Sequence, residues 1–376
     1  MNFDLDDQAK SLCEKIKGLF DQSVEPVLAG LEKADSHQIQ RVVAPWLRRL
    51  GQSGYLDLGL GDDQQNLGLL AAQETLAAIS PSLFLSVEAS TRVFGRFVAR
   101  YGTQEQKAEA LPGLRQGRIT GTVALSEEGM NTENNPFGTV GTAFDRGWRV
   151  SGTKRHVVNG PIADIVAVAG KADDGLAFFL IESGAEGFFA GERLPTLGFT
   201  GTPISPVLLE ACFVPSPNLV GPFEGTDPLR SVRSWEDQVF AAAGLGLMQR
   251  AFDTAVAFAK RHQSGGKPII AYQEVGFKLA DMLTLLQTGR LLAYRAAWMA
   301  ATGDREASIL THCAKVFCAE SAEAIASQAL QVLGEQGYRL GNPAEESYRD
   351  AKYLQIAGTS SEISRMRIGD ELLERS

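Results

Sequence analysis

The sequence predicts a mainly α-helical protein with a central antiparallel β domain, and three observations carry that expectation. From Leu5 to about Arg118 apolar residues recur every three or four positions, as in Leu12, Ile16 and Leu19 and in Leu69, Ala72, Leu76 and Ile79, the spacing of amphipathic helices. Between Ile119 and Pro222 the texture changes to short strand-like runs such as Ile165 to Ala169, with turn signals at Asp145-Arg-Gly147, Asn159-Gly160 and Asp173-Asp-Gly175. From about Asp227 helical spacing returns in Phe252, Val256 and Ala259, in Leu279, Met282 and Leu286, and in a run from Ala307 to Leu333 stopped by Gly334. Three domains are therefore expected: a helical domain over 1–118, a β domain over 119–222 and a helical bundle over 223–376.

The order of elements excludes a doubly wound sheet, which needs strands and helices to alternate throughout. Gly244-Leu-Gly246-Leu-Met-Gln249 is the glycine string nearest to a dinucleotide loop, but it lacks a third glycine and lies inside a helical stretch. Close helix packing is the better reading of those glycines. The 376 residues are 44% hydrophobic and 22% charged, ordinary for a globular chain. With 36 Lys and Arg against 45 Asp and Glu, the net charge of −9 and the lack of a basic stripe argue against nucleic acid. Cys13, Cys212, Cys313 and Cys318 form no Cys-x-x-Cys pair, so reduced core cysteines and no metal are expected. The acidic start and the absence of an 18-residue apolar run lead to the expectation of a soluble cytoplasmic protein without membrane insertion.

Local strings then match one flavoprotein family from about Val93 to Ile368. They are Tyr101-Gly-Thr-Gln-Glu-Gln-Lys107 leading to Leu111-Pro112, Ala124-Leu-Ser-Glu-Glu-Gly129, Gly152-Thr-Lys-Arg-His-Val-Val-Asn-Gly160, Leu197-Gly198, Phe213-Val-Pro215 and Leu219-Val-Gly221. Arg261 to Gln273, Gln331-Val-Leu-Gly-Glu-Gln-Gly-Tyr338 and Arg349-Asp-Ala-Lys352 follow in the same order. The sequence resembles the acyl-CoA dehydrogenases. That resemblance implies a helical N-terminal domain, a β-barrel-like middle domain and a C-terminal four-helix bundle, with FAD held between the last two and across a subunit interface. It also implies an acyl-CoA thioester substrate, an electron-transfer flavoprotein as acceptor, and a homotetramer or dimer. The implied chemistry is α,β-dehydrogenation, a carboxylate removing the α proton while the β hydrogen leaves as hydride to flavin N5.

A thioester α proton is weakly acidic, so its removal needs a sheltered carboxylate and hydrogen bonds to the developing enolate oxygen. In many family members the base is a Glu that follows Gln-Ile-Tyr. Here the string is Gln355-Ile-Ala-Gly-Thr-Ser-Ser-Glu-Ile363, and Gly358 stands where that Glu would be. The isovaleryl and long-chain members instead carry the base on an earlier helix, thirteen residues before the Gln of a Gly-Leu-Met-Gln string. Counting back from Gln249 gives Glu236 in Ser234-Trp-Glu-Asp-Gln238. Glu236 is the expected base, and Gly358 is expected to offer its backbone N–H to the thioester oxygen. The bland alternative for Glu236 is a solvated helix-face carboxylate. Glu362, and after it Glu127 and Glu128, are further candidates for the base.

By the same resemblance Leu125, Ser126, Thr132, His156 and Val158 lie along the flavin, with Thr132 also facing the pantetheine. Arg261 and Gln273 hold the pyrophosphate and adenosine of FAD in the neighbouring subunit, and Gln331, Gly334, Ser360 and Glu362 supply the remaining cofactor contacts. Asp237 and Thr359 fall at substrate-side positions. The chain departs from the family at His156, at Val158, at Glu128 and Asn131 in the flavin loop, at the Ser264-Gly-Gly-Lys-Pro268 corner, at Asp237, where an Arg is usual, and at Glu335. Acidic groups at Asp237 and Glu335 oppose phosphates. These departures keep two alternatives open: a half-site subunit completing a heteromeric dehydrogenase, and a relative acting on a carrier-bound thioester.

Overall fold

The computed structural model describes residues 4–20, 34–61, 67–129, 137–173 and 175–374. Helices α1 (Asp7–Leu19), α2 (Ser36–Ser53), α3 (Leu67–Ile79) and α4 (Pro81–Glu88) open the chain. Helix α4 starts with Pro81 in its first turn, where the missing N–H costs nothing, behind a Ser80 cap. It runs into a π-helical stretch, Ala89–Gly95, then α5 (Arg96–Tyr101) and α6 (Gln104–Arg115). The string around Thr103 is a capping box: Thr103 Oγ1 accepts from the Gln106 N–H at 3.3 Å and the Gln106 side chain accepts from the Thr103 N–H at 2.9 Å. Gln106 also donates to the carbonyls of Pro217 and Leu219, tying this helix to the β domain.

The central strands are β1 (Gly121–Ala124), β2 (Val140–Phe144), β3 (Gly147–Val158), β4 (Ile165–Ala172), β5 (Gly175–Glu182), β6 (Phe188–Ala190), β7 (Ile204–Pro215) and β8 (Leu219–Phe223). They form one sheet in the order β6-β7-β3-β2-β4-β5-β8, with β1 added on β4. The pairings are antiparallel except for β1 and β2 against β4, which are parallel. Strand β3 bulges between Lys154 and Val157, where its register on β7 shifts, and His156 takes a left-handed φ of 54°. A bulge re-aims side chains that alternation would otherwise fix.

The C-terminal part comprises α7 (Asp227–Arg261), a small hairpin of β9 (Gln263–Ser264) and β10 (Lys267–Pro268), then α8 (Gln273–Ala301), α9 (Ala307–Leu333), α10 (Pro343–Ile356) and α11 (Ser361–Glu374). Helix α7 is buried on all sides from Val239 to Met248, as a central helix must be. The glycines of Gly244-Leu-Gly246 serve close packing. A Cβ on Gly246 would stand 2.4 Å from the Ala77 Cβ of α3, and one on Gly244 would stand 2.9 Å from the Cys318 backbone of α9. The N-terminal helices and the C-terminal bundle consequently share one apolar core, including Leu70, Leu76, Leu245, Met248, Ala319 and Ala322. No helix among the described residues is long and apolar enough to cross a membrane.

Candidate active site

A cavity of about 660 Å³ opens where the three parts of the chain meet. Leu85 of α4 and Ala89 and Val93 of the π-helical stretch form an apolar wall. A π turn carries an extra residue per turn and is frequent at functional sites. The β domain contributes Leu125 to Gly129 after β1, and Arg155 to Val158 of β3. Helix α7 contributes Arg233, Glu236, Val239 and Phe240, and the end of α10 contributes Tyr353 and Ile356 to Gly358.

Glu236 and Gly358, separated by 122 positions in the sequence, meet here. Gly358 has φ of 63°, and a Cβ at this position would stand 2.6 Å from the Phe240 ring and 3.4 Å from Glu236 Oε2. The Glu236 carboxylate therefore fills the space that a side chain on residue 358 would enter. Glu236 is half-sheltered and accepts a 2.7 Å hydrogen bond from Arg233 Nη1. Tyr353 lies close by, its hydroxyl pushed up by burial and, secondarily, by the Glu236 charge.

On the β wall, Lys154 is fully buried and donates to the Leu125 carbonyl at 3.2 Å and to Glu127 Oε1 at 2.6 Å. Burial pulls the Lys154 ammonium down to about 8 against the opposing pull of Glu127. Glu127 itself is drawn below the usual carboxylate range; burial opposes this, and hydrogen bonds from Lys154, Thr139 and the Gly138 N–H outweigh it. Glu127 thus anchors the loop, and its charge is matched before any ligand arrives. The exposed Glu128 pairs with Arg155 at 3.1 Å. Leu125, Ser126, His156 and Val158 line the cavity, with the Val158 carbonyl held by Thr122 Oγ1 at 2.6 Å.

The remaining expected residues lie elsewhere. Asp237 is not on the substrate side: it is fully buried in the bundle, 3.3 Å from His312 Nδ1, with the Lys315 ammonium within electrostatic range. Successive helical residues point about 100° apart, so Glu236 and its neighbour cannot share a face. Thr359 is also turned inward, its carbonyl accepting from Lys315 and its hydroxyl from Arg367 at 3.4 Å. Ser360 caps the start of α11 by accepting from the Ile363 N–H at 3.3 Å. Glu362, in the same first turn, is exposed, and its carboxyl is held low by its own backbone N–H and the Ser360 hydroxyl. Arg261, Gln273, Gln331 and Gly334 are exposed and do not line this cavity. Glu335 is paired with Arg339 on its own chain. Thr132 and Asn131 lie outside the described residues.

Sequence reasoning missed Arg233, although its three-residue spacing from Glu236 places both on one helix face. It also assigned no role to Lys154, to Lys315 or to the Arg349-Asp350 pair. Arg349 Nη1 donates to the Leu197 carbonyl at 2.9 Å and Asp350 Oδ1 accepts from the Phe199 N–H at 2.5 Å. These bonds fasten the middle-domain segment Leu197-Gly198-Phe199 to α10 at the cavity rim.

Three family models of the acyl-CoA dehydrogenases match the chain: the N-terminal domain over residues 6–118, the middle domain over 122–212 and the C-terminal domain over 234–373. The mitochondrial isovaleryl-CoA dehydrogenase of Oryza sativa subsp. japonica is 32% identical over 98% of this chain and 92% of its own. The mitochondrial 2-methylacyl-CoA dehydrogenase of Solanum tuberosum is 30% identical over 98% and 92%. The butyryl-CoA dehydrogenase structure from Megasphaera elsdenii superposes with a TM-score of 0.89 at 25% identity, covering 99% of this chain and all of that one. The chain belongs to the acyl-CoA dehydrogenase family. It is an oxidoreductase acting on CH–CH bonds, and FAD is its cofactor.

The cavity suits that cofactor. Its β wall offers Ser126 and a stretch of backbone to a flat hydrogen-bonding ring, and Lys154 balances the Glu127 carboxylate beside that stretch.

Proposed function

We propose that the chain removes the α proton of an acyl-CoA thioester with Glu236 while Gly358 holds the thioester oxygen. The observation that supports this most is the 3.4 Å between Glu236 Oε2 and the point where a Gly358 Cβ would stand. A thioester oxygen bound by the Gly358 N–H has its α carbon one bond from the carbonyl carbon, within reach of that carboxylate. The backbone donor stabilises charge as it develops on the oxygen, and the apolar walls keep water from the carboxylate. Bound FAD would supply the acceptor for the β hydrogen, which leaves as hydride. Leu125, Ser126, His156 and Val158 would hold the ring in this reading.

The apolar walls and the isovaleryl- and 2-methylacyl-CoA dehydrogenase relatives favour a short branched acyl chain. Asp237, turned into the bundle, sets no charge against CoA, and Glu335 is already paired, so the two acidic objections to CoA lose their force. An electron-transfer flavoprotein is the proposed acceptor. Anaerobic titration of the yellow protein with a panel of acyl-CoAs should bleach the flavin, most readily with a branched one, and added electron-transfer flavoprotein should restore the colour. Glu236→Gln should retain FAD and lose bleaching rate by roughly 10²- to 10⁴-fold, the usual span for a general base. Unchanged bleaching in that variant would exclude Glu236 as base, and a colourless protein would point to a half-site subunit.

A further inference from the structure

We infer that Arg233 is a positioning residue that keeps the Glu236 base ionised and aimed at Gly358 before the substrate arrives. This rests on Glu236 being the base. Arg233 Nη1 lies 2.7 Å from Glu236 Oε2, the oxygen that stands against Gly358. The two side chains are only 11% and 22% exposed, so solvent screens the pair little. The cation precedes the acid along the helix, the less favourable order for helix stability. The pair thus serves the cavity more than the helix.

Among the described residues, the other groups around Glu236 do not replace Arg233. From α10, Tyr353 is half-buried with its hydroxyl pushed up and so neutral, Arg349 is held by Glu345, and Lys352 is bonded to Glu323 and Gln355. From the β wall, Lys154 is matched by Glu127 and Arg155 by Glu128, and His156 is exposed. The N-terminal wall at Leu85, Ala89 and Val93 is apolar. An adjacent guanidinium favours the ionised carboxylate, typically by one to three pH units in its titration. It also restricts the carboxylate to one rotamer near the α carbon.

The test compares Arg233→Met and Arg233→Lys with the unsubstituted enzyme in two measurements on the FAD-loaded protein. Infrared difference spectra against Glu236→Gln follow the carboxylate band with pH, and the bleaching rate with the preferred acyl-CoA gives a pH profile. Arg233→Met should move the carboxylate titration and the acid limb of the rate profile upward together, by about one unit or more. The rate should fall at least about tenfold at low pH with a much smaller loss on the alkaline plateau. Arg233→Lys should restore most of both shifts. A uniform loss at every pH, or an unmoved carboxylate titration, would overturn the inference. If the carboxylate titration shifts while no thioester bleaches any variant, the Arg233 role stands and the proposed activity falls.

Discussion

Gly358 is constrained twice, by a left-handed φ of 63° and by the Phe240 ring, which stands 2.6 Å from the site of an added Cβ. A non-glycine residue in that conformation costs about 1–2 kcal/mol, and overpacking costs about 1–3 kcal/mol more. Gly358→Ala should therefore destabilise the protein by roughly 2–5 kcal/mol or displace the loop, and in either case slow bleaching. Thermal unfolding and bleaching indistinguishable from the parent would show that the loop yields freely. The same residue supports placing the proposed base on α7. With Phe240 and Glu236 occupying the space beside it, residue 358 has room for a backbone donor and for no side chain. That Glu236 and Gly358 belong together was legible because one position lacks a carboxylate and the other carries one, and the two meet in the cavity. Asp237 was misread because a string of letters does not show the 100° turn between successive residues.

Among the elements, the segment after β6 and helix α10 meet through a buried carboxylate. Asp350 accepts from the Phe199 N–H, and burial lifts its carboxyl from 3.8 to about 7. A native-state titration raised above that of the unfolded chain gives stability that is whole below about pH 4 and is lost as pH rises through about 7. Asp350→Asn keeps an acceptor for Phe199 without the charge. The melting temperature of the parent minus that of Asp350→Asn should accordingly fall between about pH 4 and 7 and level off above. A difference that is flat or rises with pH would show Asp350 to be ionised throughout. The elements themselves were largely readable: the helices from apolar spacing, and the Gly244 and Gly246 contacts from glycines inside a helix. The parallel pairing of β1 and β2 with β4 was not readable, since strand alternation reports which face is buried and not which neighbour lies alongside.

For the whole molecule, several cofactor residues that the family resemblance names lie away from the cavity of their own chain. Arg261 and Gln273 flank the β9–β10 hairpin, and Gln331 and Gly334 end α9, all exposed. Exposed apolar side chains follow them, Phe277 and Leu291 on α8 and Leu372 and Leu373 on α11. We propose that a second copy of the chain covers these surfaces and brings the exposed polar residues to its neighbour's flavin site. Light scattering on the FAD-loaded protein should give a dimer or tetramer mass, and Phe277→Asp together with Leu291→Asp should lower it and weaken FAD retention. A parent protein that runs as a monomer with tightly held FAD would refute the shared site.

By itself the sequence determined the helix, strand, helix order and the family, and it pointed to Glu236 and Gly358 as the pair on which the proposed chemistry rests. Those features rest on local periodicity and on letters at set spacings, which survive without coordinates. Only the tertiary structure decided that Glu236 faces Gly358 with Arg233 at its side, that Asp237 is turned to His312 and Lys315, and that Asp350 clasps Phe199. Each of these depends on the angle at which one helix or loop meets another, and that angle is set by the close fit of side chains across the shared core rather than by the residues in contact.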